Sequence, residues 1–155
     1  MKIQLSDKRI VPGALTVWSH HGPEVDIVMD LKNLTFAPGS ITEMYAFHVL
    51  DHLFAEEGAL AIENWHKCLA PNAKVHMLND DFEYICRAFI GGDIDIDLYN
   101  DIHNHPTQYT VNSLTSFLTK GGFDSNQIVI WYSGNPDHME KKHYEFILTG
   151  TKNGQ

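Results

Sequence analysis

The chain has 155 residues, two of them cysteine, and a formal net charge of −9. That length supports one hydrophobic core, and an expected single domain over residues 1–152 with a frayed tail over 153–155. So negative a surface repels phosphate backbones and anionic lipid, which argues against nucleic acid and membrane as partners. Two cysteines, Cys68 and Cys86, do not make a disulfide framework and read as buried thiols.

The opening MKIQLSDKRIV has no long apolar run, and no segment reaches the ~18 consecutive apolar residues of a membrane span. The expected compartment is the cytoplasm. The first third reads as short strands over Lys2–Leu5, Ala14–Val17, Val25–Met29 and Ile41–Phe47. Pro12–Gly13, Gly22–Pro23 and Gly39–Ser40 separate them.

The period then changes. Between Leu53 and Leu69, apolar residues recur at Ala61, Trp65, Cys68 and Leu69, which predicts a helix. Pro71 and Asn72 predict a stop and a tight turn after it. Lys74–Leu78 predicts a strand, and Phe82–Ile90 a helix with Phe82, Ile85, Cys86 and Phe89 on one face. Residues 91–109 read as an acidic loop. Thr110 caps a further helix through Leu118 that ends at Gly121–Gly122. Gln127–Tyr132 and His143–Thr149 are strands, with a loop over 133–142 between them. Trp65, Phe117 and Trp131 read as core side chains.

This alternation argues for an α/β sheet with helices on its faces. The front is harder to read. Only about eight residues join the first two strands, where a parallel crossover normally needs a dozen or more, so a local meander is the expectation from physics alone.

Four segments resemble small class I S-adenosylmethionine-dependent methyltransferases of the type 11-like group. VDIVMDLKNLTF (Val25–Phe36) resembles their third strand and adenine-side turn. EMYAFHVLDHLFAEEGALAIENWHKCL (Glu43–Leu69) resembles their fourth strand, a histidine–acid–histidine turn and the next helix. APNAK (Ala70–Lys74) stands where they carry Pro-Gly-Gly, and YTVNSLTSFLTKGGF (Tyr109–Phe123) resembles their late helix and Gly-Phe. The resemblance implies a three-layer sandwich around a seven-stranded, mostly parallel Rossmann-like sheet with an antiparallel last strand and a shortened N-terminal part. It also implies S-adenosylmethionine as cofactor, and methyl transfer to a small-molecule or sugar-like acceptor.

By the same resemblance the cofactor would lie against Leu5, Ser6, Asp7, Trp18, Asp30 and Leu31. Asp30 would meet the adenine amine and Leu31 the ring; Asp30 reads equally as a strand-end cap. The chain departs from the family at two places. No glycine follows the first strand until Gly13, and Trp18 or Ser19 stands where an acid would bind the ribose. Those departures motivate a rival reading: a non-catalytic relic of the fold serving as a binding or assembly module, its cleft filled by Trp18 with His20 and His21. A homodimer is left open.

His48, Asp51 and His52 follow the fourth strand, where a histidine beside a carboxylate could serve as general base; the structural alternative is that they shape the turn and cap the next helix. DIDIDLYNDIHNH (Asp93–His105) concentrates acids and two histidines. Leu98 and Asn104 break the calcium-hand pattern. His103 and His105 could join an aspartate on a transition metal, but a solvated acidic lid is the preferred reading, so no metal is expected.

Overall fold

Gln4 explains how the front of the chain can do without helices. The structure is a computed structural model that describes residues 1–97, 100, 104–132 and 145–154, with only the main chain of 131 and 132. Strand β1 (Lys2–Leu5) pairs in parallel with both β2 (Leu15–Trp18) and β4 (Ile41–Phe47). The Gln4 side chain is fully buried beneath the 6–13 connection. Its Oε1 accepts the N–H groups of Ile10 (3.0 Å) and Val11 (2.6 Å), and its Nε2 donates to the Lys8 carbonyl.

Glu24 and Asp26 hold the same segment from the other side. Glu24 accepts the Arg9 N–H at 2.6 Å, while Asp26 pairs with the Arg9 guanidinium at 2.6 Å and accepts the Thr16 N–H at 2.8 Å. Side chains thus satisfy the backbone groups that a crossover helix would satisfy internally. The short connection between β1 and β2, residues 6–14, can therefore join parallel strands, and the meander expected from connection length is not what forms.

β3 (Ile27–Val28) pairs in parallel with β2, and β5 (Leu69–Asp80) with β4. β7 (Glu145–Thr151) lies antiparallel between β5 and β6 (Val129–Tyr132). The sheet has seven strands in the order β3-β2-β1-β4-β5-β7-β6. This is the expected Rossmann-like sheet with an antiparallel last strand.

Element bounds differ from the sequence reading in instructive places. β5 starts at Leu69, before the predicted turn, because Asn72 takes up its left-handed conformation (φ 62°) inside a bulged stretch opposite Ile41–Glu43. β3 shrinks to two residues, since Asp26 is spent on Thr16 and Arg9. Residues 133–142 and His143, read as a loop and a strand start, lie outside the described residues, as does the Trp131 side chain.

Helix α1 (Ala55–Cys68) starts where the Glu57 carboxylate accepts the Phe54 N–H at 3.2 Å, and it buries Ala61, Ile62, Trp65 and Cys68. The Trp65 indole donates to the Leu31 carbonyl at 2.7 Å, tying α1 to the end of β3. Cys68 is buried as expected; Cys86 is only half-buried, because α2 (Phe82–Gly91) buries Ile85 and Ala88 instead. Helix α3 (Val111–Lys120) has the predicted Thr110 cap, whose Oγ1 accepts the Ser113 N–H at 3.1 Å.

α1 and α3 cover one face of the sheet, where Ile3, Leu5, Met44, Ala46, Val75, Met77, Phe146 and Leu148 form the core. On the opposite face the 6–13 loop covers Gln4 and Thr16, both fully buried. Tyr45, Phe47 and His76 on that face are half-buried, with Tyr45 stacked on His76 at 4.7 Å between ring centres. The layer facing α1 and α3 is thus built from loop rather than helix over β1 and β2.

Candidate functional site

The strand order reverses between β1 and β4, and in open α/β sheets ligands bind outside the carboxyl ends of the strands at that switch. His48 follows β4 there. It has a left-handed backbone (φ 49°), unusual for a residue other than glycine, while its N–H still donates to the Leu78 carbonyl at 3.0 Å. That turn carries the imidazole across the ends of β4, β5 and β7.

Asp80 and Glu145 are register partners on β5 and β7. Two carboxylates opposite one another repel. The His48 ring lies between them, with Nε2 3.2 Å from Glu145 and Nδ1 4.0 Å from Asp80. Nδ1 is also 3.7 Å from Asp51. Asp51 first, then Glu145, push the His48 pKa up to about 10 against the opposing effect of burial. His48 is therefore a cation at neutral pH. Burial outweighs the neighbouring histidines at Asp80, whose carboxyl is raised from its usual range.

Asp51 lies in a 3-10 turn over Leu50–His52 and is 5% exposed. His48 holds its carboxyl below the usual range although burial acts the other way. The segment after α2 packs against this turn: the Thr107 N–H donates to the Asp51 carbonyl (3.2 Å), and its hydroxyl to the Leu53 carbonyl (2.6 Å). This brings His105 Nδ1 to 3.2 Å from Asp51 Oδ2 and stacks His105 edge-on against His52, ring centres 4.5 Å apart. Tyr109, nearly buried, closes the back of the site; burial and then Asp51 push its phenol up to about 12. Between Asp51, Asn79, Asp80, His105 and Tyr109 lies a cavity of about 10 Å³, room for one water-sized atom.

The structure places His48, Asp51 and His52 in the turn after β4, with His48 and His52 both beside Asp51, and adds Asp80, Glu145 and His105. Asp80 could have been suspected from the polar run Asn79–Asp81 after an apolar strand. Glu145 could not, because its place depends on the register of an antiparallel pair. His103 lies outside the described residues.

The cofactor-side positions fall at the ends of β1, β2 and β3. Ser6 is nearly buried, its hydroxyl accepting the Lys8 N–H at 3.2 Å, while Asp7 is exposed. Trp18 is half-buried, edge-on to His20 at 6.1 Å. Asp30 is exposed and closes its own turn by accepting the Lys32 N–H at 3.0 Å. Leu5 and Leu31 point into the core, so only their main chain faces this end of the sheet.

No protein-family model matches the chain, and no curated protein matches it by sequence. Solved structures do. A methyltransferase of Thermotoga maritima, described as an S-adenosylmethionine-dependent enzyme and possible histamine N-methyltransferase, superposes with a TM-score of 0.63 at 12% identity, covering 90% of this chain and 72% of that one. An S-adenosylmethionine-dependent methyltransferase from Archaeoglobus fulgidus gives 0.62 at 10% identity (90% and 76% covered). One from Methanosarcina mazei gives 0.59 at 14% (94% and 74%). The chain has the class I S-adenosylmethionine-dependent methyltransferase fold. No helix among the described residues is long and apolar enough to cross a membrane.

Proposed function

We propose that the chain is an S-adenosylmethionine-dependent methyltransferase acting on a hydroxyl or amine of a small or sugar-like molecule in the cytoplasm. The observation that carries this reading is the polar cluster at the carboxyl ends of β4 and β5 and the amino end of the antiparallel β7, beside the topological switch of a methyltransferase sheet. Bound there, the cofactor supplies an electrophilic methyl group.

The residues present fit the nucleoside half of such a cofactor better than the rest. Asp30 offers an exposed carboxylate to the adenine amine. Trp18, at the end of β2, offers an aromatic surface where the core-bound Leu31 side chain cannot. Ser6 and Asp7 would line the amino-acid half with main-chain groups. Each carries a Cβ where the family has glycine, so the approach there is less close.

At the acceptor end, His48 is unsuited to take a proton because it already holds one, and it acts as a fixed positive charge. His52 is the solvent-exposed imidazole beside Asp51. It takes the proton of an incoming hydroxyl or amine, while the cluster holds the acceptor in line with the methyl group.

The rival reading, a non-catalytic relic serving as a binding or assembly module, rests on the missing glycine and ribose acid, and the pinning of the loop after β1 by Gln4, Glu24 and Asp26 favours it. Calorimetric titration with S-adenosylmethionine and S-adenosylhomocysteine separates the two. Binding with a thermal shift supports the enzyme; no heat and no shift at millimolar ligand supports the relic.

A further inference from the structure

Asp51 is a buried carboxylate whose two oxygens both lack a hydrogen-bond partner. A buried carboxylate without a hydrogen bond is costly, and here only the charge of the neighbouring imidazoles, His48 at 3.7 Å and His105 at 3.2 Å, offsets the lost water. His105 Nδ1 comes within 3.2 Å of Oδ2, yet the two make no hydrogen bond. Their separation has another natural explanation. Two donors bound to one tetrahedral ion at about 2.0–2.1 Å each lie about 3.3 Å apart. One ligand atom each from Asp51, His52 and His105 lies within 4.8 Å of the other two. The water-sized cavity beside Asp51 and His105 is lined by both, with Asp80 and Tyr109, while His52 stands outside its lining.

We propose that Asp51, His52 and His105 form a binding site for a divalent transition-metal ion of the zinc class. Two imidazoles and one carboxylate make a three-point protein site that leaves a coordination position open for a further ligand. Nitrogen donors favour zinc, cobalt, nickel or iron over magnesium and calcium, which prefer oxygen. The ligands come from two segments, the turn after β4 and the chain after α2. The Thr107 hydrogen bonds to Asp51 and Leu53 clamp those segments together without the ion.

A second group, His48, Asp80 and Glu145, is equally close-set. Its ring nitrogens already face carboxylates on both sides, so it serves as the support around Asp51. The inference deepens the methyltransferase reading at the same site: an ion there would hold an acceptor oxygen and favour its deprotonation, taking over the work assigned to His52.

The test uses the whole chain, first stripped with a chelator. Titration with Zn²⁺ by calorimetry should show one site well tighter than any other. Co²⁺ should give visible absorption of the intensity that a four- or five-coordinate nitrogen–oxygen site produces, displaced by Zn²⁺ and not by Mg²⁺. His52→Gln and His105→Gln should each weaken that site by at least about tenfold, the loss that removing even a supporting partner produces. His76→Gln, on the other sheet face, should leave it intact. His52 and His105 both reach solvent, so these variants fold even where Asp51→Asn does not. A tight site that survives both His52→Gln and His105→Gln, or the lack of any tight site, overturns the proposal. Cofactor binding is measured separately in chelator, so failure of the metal site is distinguishable from failure of the methyltransferase reading.

Discussion

Gln4 Oε1 accepts the Val11 N–H at 2.6 Å from beneath. The loop that replaces the first crossover helix is therefore fastened to the sheet by a side chain of the strand it leaves. Gln4→Leu keeps the volume and removes the acceptor. It strands the Ile10 and Val11 N–H groups, each worth about 1–3 kcal/mol when left unsatisfied in a buried setting. Urea denaturation should show a loss of about 2–4 kcal/mol, allowing for some access of water to the loop. A loss below about 0.5 kcal/mol would mean the loop is held by Glu24 and Asp26 alone.

The end of α3 packs closely on α1. A Cβ at Gly121 would collide with the Ile62 side chain, although its backbone (φ −77°) suits any residue. Gly121→Ala should destabilise by about 1–3 kcal/mol through overpacking. Ile62→Ala removes the γ carbon that the new Cβ meets, so Gly121→Ala should cost less in that background than in the parent, and thermal melts of the single and double variants measure the coupling.

Trp18 and Asp30 distinguish the two functional readings. Trp18 is half-buried, so Trp18→Ala should cost about 1–3 kcal/mol, less than the ~3–5 of a fully buried aromatic. Asp30→Ala removes only a turn hydrogen bond, about 0.5–1 kcal/mol. In an enzyme, Asp30→Ala should also abolish the thermal shift given by S-adenosylhomocysteine. If that shift persists unchanged in Asp30→Ala, Asp30 does not hold the adenine.

His76 provides a pH signature. Burial lowers its pKa from 6.5 against the pull of Glu43, its ring stacked on Tyr45 and bonded to Thr149 at 2.8 Å. Its folded-state pKa is thus below the unfolded value. The neutral ring contributes stability that is fully present above about pH 6.5 and is lost as the pH falls from there through the folded-state pKa. His76→Gln should lose less stability than the parent between pH 7.5 and 5. NMR titration of the ring should place its midpoint below that of an exposed histidine.

The sequence by itself determined the order of the elements from Ile41 onward, because each carries its own period and its own stops. Trp65 with Cys68 on a helix face, Thr110 as a cap and Gly121–Gly122 as an end are local chemistry, and local chemistry is legible. So was the grouping of His48, Asp51 and His52, which one turn brings together. Other relationships depended on the tertiary structure. The parallel front strands follow from Gln4 reaching a loop six and seven residues away and from Asp26 reaching back to Thr16, bonds that no periodicity announces. Glu145 faces Asp80 only because β7 pairs antiparallel with β5 in one register, and a shift of one residue would turn it to the other face. His105 reaches Asp51 only because Thr107 docks on the turn after β4. Sequence spacing specifies contacts within an element or one turn beyond it; contacts between distant segments are set by strand register and loop docking, which depend on the packing of the whole fold.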